Sequence, residues 1–347
     1  MEDIAPKIDK SQYGNQKGTS TEHLMVKLMD KLLNLLDKNT DHSAVIASLV
    51  DWSSAFDRQD ATLAIQKFIQ MGVRPSVVPI LASYLTDRQM QVKFNDTYSG
   101  TYKLPGGGPQ GTIIGLIEFF VQSNDNADCV DEDLRFKFVD DLSVLELVML
   151  ASLLTEYNFK QHVASDIGVD EMYVPASSLK TQENLHKIAD WTDQNQMQLN
   201  KDKTNYMVFS RSETEFATRL SIDGDTIDRI EEVKLVGVWL TTWLDWEKTP
   251  KELCKKAYAR LTMLTKLRYV GVPREDLIHI YILYVRSLLE YCSVVWRSTL
   301  TVEQGNNLKR VQNLCLKIIL GEEYCGYDDS LEKCGLERLS DRTEKRV

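Results

Sequence analysis

Asp51, Asp140 and Asp141 are the residues of this 347-residue chain whose types and spacing best suit chemistry. Asp51 ends an apolar run from Ala44 to Val50 that predicts a buried strand, so its carboxylate would be held at a sheet edge. Asp140 and Asp141 lie between two stretches of alternating apolar residues, which predict a hairpin with both carboxylates at its tip. If the strand pairs beside this hairpin, the three carboxylates converge. They would then offer oxygen ligands to two Mg²⁺ ions, with Mn²⁺ as an alternative. Two such ions roughly 4 Å apart can activate a hydroxyl nucleophile and stabilise a leaving group.

Each acidic site alone has an ordinary explanation. Two adjacent aspartates in a turn are usually solvated, because neighbouring carboxylates repel each other when no cation lies between them. Asp51 alone could cap a helix that follows the strand. The occurrence of both sites in one chain, in order and with other matching segments, favours the metal interpretation.

The elements that position these aspartates follow from the hydrophobic pattern. Beyond the strand and the hairpin, Thr249-Pro250 with Glu252 predicts a capping box at the start of a helical C-terminal region that continues to about Leu320. The pattern therefore predicts a mixed α+β body followed by a helical subdomain. The other predicted elements are a helix from about Glu22, helices over Asp60 to Met71 and Pro75 to Leu85, a hairpin over Gln91 to Leu104 turned at Asn95-Asp96, a helix beyond Gly111, and a helix over Leu179 to Trp191.

Charge is unevenly distributed along the chain. The net charge is −10, yet residues 247–317 carry 13 Lys and Arg against 6 Asp and Glu, a local net charge of +7. The basic region would attract a polyanion, although a solvated charged helix face is the simpler explanation. Six scattered cysteines, no signal-peptide pattern and no run of about 20 apolar residues predict an intracellular protein of the nucleus or cytoplasm without a membrane partner.

Several segments, taken in order, resemble the reverse transcriptase domain of non-LTR (LINE-like) retrotransposons. The resemblance runs from Gln12 to about Arg342, and the ordered set is more specific than any single segment. In chain order the segments are Gln12-Tyr13-Gly14 with Gly18-Thr19-Ser20-Thr21, Val50-Asp51-Trp52-Ser53-Ser54-Ala55-Phe56-Asp57, Tyr84-Leu85-Thr86-Asp87-Arg88, Gly107-Gly108-Pro109-Gln110-Gly111, Phe138-Val139-Asp140-Asp141, Leu199-Asn200-Lys201-Asp202-Lys203-Thr204, Leu235-Val236-Gly237-Val238, and Arg286-Ser287-Leu288-Leu289-Glu290-Tyr291 with Trp296 and Gln312.

The resemblance implies an α+β right-hand polymerase. Truncated fingers would occupy residues 1–43. A catalytic palm would occupy residues 44–245; it would consist of antiparallel strands backed by helices, with interleaved fingers elements. A helical thumb would occupy residues 246–347. The implied activity is that of an RNA-directed DNA polymerase acting on an RNA template, a DNA primer and deoxynucleoside triphosphates, with the oligomeric state left open.

The resemblance also assigns roles to residues near the aspartates. The three aspartates match the family's metal ligands, and Phe56 matches the bulky side chain that excludes a ribose 2′-hydroxyl. Ordinary core packing is the alternative for Phe56. Gln110 matches a residue near the incoming nucleotide and template, and Gly111 beside it would allow close backbone approach.

Three further positions match the family's later motifs. Lys203 is a candidate for contacting the triphosphate or protonating pyrophosphate, although its spacing alone favours an exposed surface lysine. Val236 and Gly237 lie in the segment that resembles the primer grip, which would contact nucleic acid.

The basic C-terminal region predicts a helix with two faces. Lys251, Lys255 and Arg260 would face solvent or a duplex backbone. The residues expected on its buried face are Leu253, Ala257, Leu261 and Leu264.

The sequence departs from the family pattern at two points near the glycine-rich loop. Gly108 occupies a position where valine is common, and Leu116-Ile117-Glu118 replaces a more usual Pro-Leu-Leu, which puts a glutamate into an apolar helix. The family's upstream basic fingers and its endonuclease are expected to be missing.

Two other functions remain open at this stage. An RNA-dependent RNA polymerase would share both acidic motifs, but it would prefer a polar residue at the position of Phe56. An inactive, truncated retroelement remnant that keeps a nucleic-acid-binding fold is the alternative outside enzymes.

Overall fold

A computed structural model of the chain describes residues 4–38, 43–149, 171–173, 179–211 and 215–346. It separates into two compact units. Unit 1 comprises Met1–Ser20 and Asp30–Ile230, and unit 2 comprises Thr21–Met29 and Glu231–Val347. The first helix, α1 (Thr21–Lys38), contributes residues to both units. The predicted three-way division into residues 1–43, 44–245 and 246–347 stays a prediction.

A five-stranded sheet forms the centre of unit 1. Its members are β1 (Ser43–Val50), β6 (Arg135–Phe138), β7 (Asp141–Met149), β9 (Asn205–Ser210) and β13 (Asp228–Arg229). They lie side by side in the order β13-β9-β1-β7-β6. All pairings are antiparallel except that of β13 with β9. Short two-stranded ribbons accompany the sheet: β2 (Gln89–Met90) with β5 (Tyr102–Lys103), β3 (Lys93–Phe94) with β4 (Thr97–Tyr98), β8 (Glu171–Tyr173) with β10 (Glu215–Ala217), and β11 (Ser221–Ile222) with β12 (Asp225–Thr226).

β1 lies at the centre of the sheet because its residues can be buried on both faces. Seven of its eight residues, all except Leu49, are buried. A continuous apolar run of this kind is typical of a strand that is covered on both sides. β7 and β9 pair along its two edges, so its backbone groups form hydrogen bonds on both sides.

Two helices of unit 1, α2 (Ala61–Gln70) and α4 (Ile113–Ser123), begin at capping residues. Asp60 accepts a hydrogen bond from the backbone N–H of Leu63 at the start of α2, and Thr112 accepts one from Gly115 at the start of α4. The core joins strand residues such as Ile46 and Leu142 to helix residues such as Phe68 and Phe119. These helices are α2 (Ala61–Gln70), α3 (Val78–Leu85), α4 (Ile113–Ser123) and α5 (Lys180–Gln194), with short 3₁₀ turns at Ala5–Lys7 and Glu132–Leu134.

Unit 2 combines one β-hairpin with a set of helices. The hairpin pairs β14 (Glu232–Leu235) with β15 (Val238–Thr241). The helices are α6 (Lys248–Tyr269), α7 (Arg274–Ile280), a π-helix (Tyr281–Arg286), α8 (Ser287–Leu289), α9 (Ser293–Trp296), α10 (Val302–Leu320), α11 (Tyr327–Lys333) and α12 (Leu339–Glu344), with 3₁₀ turns at Arg297–Thr299 and Gly321–Glu323. Long apolar side chains from these helices are fully buried, among them Leu277, Tyr281, Trp296 and Leu308.

The predicted mixed α+β composition is confirmed, whereas the predicted capping box at Thr249 is wrong. The helix α6 begins at Lys248, and no side chain caps it. Thr249 is instead buried inside the first turn, where its hydroxyl accepts a hydrogen bond from the backbone N–H of Trp239. Glu252 binds Lys234, Lys256 and the Trp239 indole rather than the helix start, because these charged and polar partners lie nearer.

No single helix in the described ranges is long and apolar enough to cross a membrane. Among the described residues, the bent helix pair Arg274–Leu289 and Ser293–Thr299 passes by length and composition. All six cysteines are free thiols.

A capping box does occur at the start of α10, and it allows a test of the fold. Thr301 accepts from the backbone N–H of Gln304, and the Gln304 side chain accepts from the Thr301 backbone N–H. We expect Thr301→Ala to lower the free energy of unfolding by about 1 kcal/mol, since one helix-terminal donor loses its partner. Chemical denaturation followed by circular dichroism measures this change. Thr301→Ser keeps the hydroxyl and should stay close to wild type; equal losses in both variants would contradict the capping role.

Candidate active site

Pairing between β1 and β7 brings Asp51 beside Asp141. The register aligns Val50 with Leu142, and each aspartate is the next residue along its strand toward the same end of the sheet. Asp141 is the first residue of β7 and pairs with Phe138 across the tight hairpin, whose turn is formed by Val139 and Asp140. The hairpin tip is therefore one residue earlier than the sequence predicted.

The carboxylates of Asp51, Asp140 and Asp141, which we call the acidic centre, affect one another's ionisation. Burial raises the pKa of Asp141 to about 6, with further increases from Asp140 and Asp51 that Lys203 opposes. Burial also raises the pKa of Asp51, where Lys203 again opposes and Asp140 adds. Asp141 as a whole residue is exposed at the surface, but the protein around its carboxyl group is dense enough to raise the pKa of that group. Like charges that disfavour one another's ionised form are an arrangement that a bound cation would relieve.

The loop between α5 and β9 holds Asp51 in place. The Asp51 backbone carbonyl accepts from the N–H of Asn200 (2.9 Å), and its own N–H donates to the Thr204 hydroxyl (3.3 Å). The Lys203 ammonium group lies 3.9 Å from Asp51 Oδ2, while 71% of the Lys203 side chain remains exposed. Lys203 therefore offsets part of the Asp51 charge, while most of its side chain stays in contact with solvent.

The oxygen-only donor set suits Mg²⁺ or Mn²⁺, which prefer carboxylate oxygens. Within the part of the chain that the structure describes, no three His, Cys, Asp or Glu side chains are grouped closely enough to hold a metal ion. The strand register places Asp51 beside Asp141, with Asp140 in the adjoining turn, but the three carboxylates are not grouped as metal ligands among the described residues.

Phe56, five residues after Asp51, packs against the hydrophobic core of unit 1. Its ring stacks on the buried ring of Phe119, with centroids 4.5 Å apart and planes inclined by 22°. Phe56 as a residue is only partly buried. The position is compatible with both core packing and contact with a substrate.

Gln110 and Gly111 lie in an exposed loop that is tied to the segment after Asp51. The Gln110 side-chain amide donates to Asp57 Oδ1 at 2.5 Å, and the backbone N–H of Gly108 donates to the Phe56 carbonyl at 2.8 Å. Gly111 adopts φ +76°, a conformation that glycine tolerates without a steric penalty. The loop therefore keeps Gln110 near the first acidic segment.

The two departures from the family pattern, Gly108 and Glu118, lie against each other. A Cβ atom at Gly108 would lie 2.0 Å from Gln59 Oε1 and 3.0 Å from Glu118 Oε2. Both polar side chains are 1% exposed, and Glu118 Oε2 has no hydrogen-bond partner among the described residues. The missing side chain at position 108 leaves room for both of them.

Val236 and Gly237, in the segment that resembles a primer grip, and the basic helix α6 lie in unit 2. Val236 (φ +39°) and Gly237 (φ +90°) form the turn between β14 and β15, and the Tyr291 hydroxyl donates to the Val236 carbonyl at 2.6 Å. Two consecutive positive φ angles are typical of a type I′ hairpin turn. A Cβ at Gly237 would lie 3.2 Å from the Tyr291 ring, so glycine fits best there.

The helix α6 has a buried and a basic face, with two differences from expectation. Leu253, Ala257 and Leu264 are buried, but Leu261 is only partly buried. Lys251 and Lys255 are exposed, as is required for contact with a polyanion. Arg260 donates to the backbone carbonyl of Tyr284, so part of its hydrogen-bonding capacity is already used within unit 2.

No protein-family model matches the chain. One relative, named "Probable RNA-directed DNA polymerase from transposon BS" from Drosophila melanogaster, is 24% identical over 260 residues. The alignment covers 73% of this chain and 26% of the relative, so the chain spans about a quarter of that protein's length. The similarity supports a reverse-transcriptase-like domain.

Solved telomerase structures also align with the chain. Telomerase from Candida albicans, in complex with a TWJ fragment of telomeric RNA, aligns at 14% identity and TM-score 0.44 over 99% of this chain and 57% of that chain. Telomerase from Candida tropicalis, in complex with a TWJ fragment of telomeric RNA, aligns at 11% identity and TM-score 0.46 over 94% of this chain and 53% of that chain. Both TM-scores are too low to establish a shared fold.

The sequence pattern predicted the three aspartates as site residues but did not indicate the groups that bind Asp51 and the turn before Asp141. Asn200 and Thr204 belong to the same motif as Lys203. Asn and Thr side chains often form hydrogen bonds with nearby backbone, so their presence in this motif could have indicated a supporting role. The contact of Gln12 with Val139 joins residues 127 positions apart, and no spacing could have indicated it.

Glu118 makes a prediction about stability and pH. Burial, opposed by Arg88, raises its pKa from 4.5 to about 7 in the folded protein. The unfolded chain therefore releases its proton first, so folding stability falls as pH rises from about 4.5 to about 7 and then levels off. Glu118→Gln removes this titration, and its stability advantage over wild type should grow across that interval, approaching about 3 kcal/mol.

Urea denaturation of wild type and variant at pH 5, 6, 7 and 8 measures this difference. Glu332→Gln, at an exposed position of α11, is the matched control for the substitution itself and should stay within about 0.5 kcal/mol of wild type. A Glu118→Gln advantage that is the same at all four pH values would rule out an ionisable group in the folded core.

Proposed function

We propose that this chain is the polymerase core of a non-LTR retrotransposon reverse transcriptase, which copies an RNA template into DNA from a DNA primer. The observation that carries the proposal is the register of β1 with β7, which brings Asp51 beside the Asp140-Asp141 hairpin. The similarity to a transposon RNA-directed DNA polymerase supports the same conclusion from sequence. In this proposal unit 1 supplies the palm, and the helices of unit 2 supply the thumb.

Asp51, Asp140 and Asp141 would hold two Mg²⁺ ions, which lower the pKa of the primer 3′-hydroxyl and stabilise the charge on the leaving pyrophosphate. Asn200 and Thr204 keep the Asp51 backbone fixed during this step. Without these hydrogen bonds the Asp51 carboxylate could shift. A small shift would lower the rate of nucleotidyl transfer, because that rate depends steeply on the placement of the reacting groups.

Lys203 contributes a mobile positive charge. In the proposal its ammonium group leaves Asp51, contacts the triphosphate of the incoming deoxynucleotide and supplies a proton to pyrophosphate as it departs. Its exposure and its long contact with Asp51 are consistent with such movement. Gln110, held by Asp57, and the flexible backbone at Gly111 would contact the nucleotide and template from the other side.

Asp51→Asn and Asp141→Asn test the central assignment. Each variant removes a negative charge from the acidic centre, and we expect primer extension on an RNA template to fall by at least about a hundredfold. Extension with Mg²⁺ and with Mn²⁺ is measured on the full chain, and binding of the primer–template is measured in parallel.

Asp228→Asn, at the exposed start of β13 in the same sheet, is the control and should extend primers at the wild-type rate. Equal rates for all variants would contradict the assigned centre. Binding of the primer–template without extension by the wild-type chain would show a nucleic-acid-binding remnant instead of a polymerase.

Lys251 and Lys255 provide a test of duplex contact. Reversing both charges should weaken binding of an RNA–DNA duplex and flatten its salt dependence, by a slope of roughly 0.7–0.9 for each phosphate that the helix no longer neutralises. Binding is titrated by fluorescence anisotropy at several salt concentrations. Arg310→Glu, on α10, is the control for charge alone; an unchanged salt slope in the double variant would remove this helix from the duplex-binding surface.

Phe56 provides a test of sugar selection. If its ring contacts the deoxyribose, Phe56→Val should raise ribonucleotide incorporation by up to roughly a hundredfold, the equivalent of about 3 kcal/mol of steric exclusion. Single-nucleotide extension compares deoxy- and ribonucleotides. Phe119→Leu removes the same ring stacking from the buried side, so it separates the two roles of Phe56. Similar sugar selectivity in both variants would mean that Phe56 only fills the core.

A further inference from the structure

The residue before the two hairpin aspartates has an unfavourable backbone conformation. Val139 adopts φ +58°, in the left-handed region. A β-branched residue rarely adopts this region, because its side chain crowds the backbone, and such strain persists only where the surroundings impose it. Asp140 and Asp141 follow directly, so any relaxation of Val139 would rotate the backbone that carries both carboxylates.

One buried side chain imposes this conformation through two hydrogen bonds. Gln12 Oε1 accepts from the backbone N–H of Val139 at 2.9 Å, and Gln12 Nε2 donates to the Val139 carbonyl at 3.2 Å. The same Oε1 atom also accepts from the N–H of Gly14 at 2.8 Å. Gln12 is 5% exposed, so solvent cannot replace these bonds easily. We call these two hydrogen bonds between Gln12 and the Val139 backbone the clamp. Glycine is needed at position 14 beside it, since a Cβ there would lie 2.6 Å from Val139 Cγ2.

The segment that carries Gln12 is fixed to the same hairpin. The backbone of Lys137 in β6 donates to the Ser11 carbonyl (2.8 Å) and accepts from the Tyr13 N–H (2.8 Å). Asp9 forms a buried ion pair with Lys137 at 2.6 Å and a second contact with Arg135 at 3.2 Å. The strand that leads into the turn therefore holds the Gln12 backbone in place. Because the backbone is fixed, the two side-chain hydrogen bonds of Gln12 can fix the position of the Val139 peptide groups.

We propose that Gln12 is a positioning residue, which fixes the conformation of Val139 and thereby sets where the Asp140 and Asp141 carboxylates lie for nucleotidyl transfer. This inference rests on the proposed function for its effect on catalysis. Gln12 does not contact substrate in this assignment. It acts only through the Val139 peptide groups.

The test replaces Gln12 by Met, which has a similar length but cannot form either hydrogen bond. We expect kcat for primer extension to fall about tenfold to a hundredfold, and the Mg²⁺ concentration for half-maximal rate to rise, while KM for the deoxynucleotide changes little. Gln12→Glu can still accept from both N–H groups, so its loss should be smaller. Val139→Gly adopts φ +58° without strain, and combining it with Gln12→Met should restore part of the lost rate.

Gln182 is a matched control because it forms the same kind of clamp elsewhere in unit 1. It is 6% exposed, donates to the Ser221 carbonyl at 2.7 Å and accepts from the Ser221 N–H at 2.9 Å. Gln182→Met should lower the melting temperature to a similar extent but leave kcat and the Mg²⁺ requirement unchanged. If both Met variants lose activity only in proportion to their folded fraction, and Val139→Gly restores nothing, Gln12 has a structural role alone.

Hydrogen–deuterium exchange separates this inference from the proposed function. The Val139 amide is itself a donor in the clamp, so Gln12→Met should speed exchange over residues 136–142, and Gln182→Met should not. Failure of the wild-type chain to extend any primer would contradict the proposed function, while the exchange result would still decide whether the clamp exists. Unchanged exchange in Gln12→Met would overturn the clamp even in an active enzyme.

Discussion

The antiparallel pairing of β1 with β7 is the interaction on which the arrangement of the site depends. Backbone hydrogen bonds fix which residues of the two strands lie side by side, and a slip of one residue would move every side chain of β7 to the opposite face. Because β1 is buried on both sides and paired along both edges, such a slip would expose its apolar residues and leave backbone groups unpaired. The hydrophobic core thus sets the position of polar groups that lie outside it.

The sheet sets the position of Asp51, and its polar neighbours then fix its backbone and offset part of its charge. Residues from the loop before β9 bind its backbone, and Lys203 offsets part of the negative charge. The glycine-rich loop is attached to the segment that follows Asp51. Elements distant in sequence therefore meet at one end of the sheet, and the site is a product of the tertiary structure.

Much of this arrangement could be predicted from local patterns, and the remainder could not for identifiable reasons. The strand before Asp51, the hairpin that carries Asp140 and Asp141 and the helix after Gly111 follow from apolar periodicity and turn residues, which act over a few positions. The exact turn of that hairpin, Val139-Asp140, does not follow from this pattern. The capping box at Thr249 failed because Trp239 and Lys234, outside the local window, bind Thr249 and Glu252 instead. The pairing of Gly108 with Glu118 explains two unusual residues together, although each is anomalous when read alone.

The backbone contacts of Ser11 and Tyr13 with Lys137 also have a consequence for association between molecules. β6 is the last strand in the order of the sheet, and an uncovered edge strand offers free N–H and C=O groups to any other extended chain. The Ser11–Tyr13 segment occupies these groups of Lys137, and the adjacent ion pair places charge beside them. Protein that lacks the first fourteen residues would carry a bare edge next to its acidic hairpin, and such an edge promotes self-association through added strands.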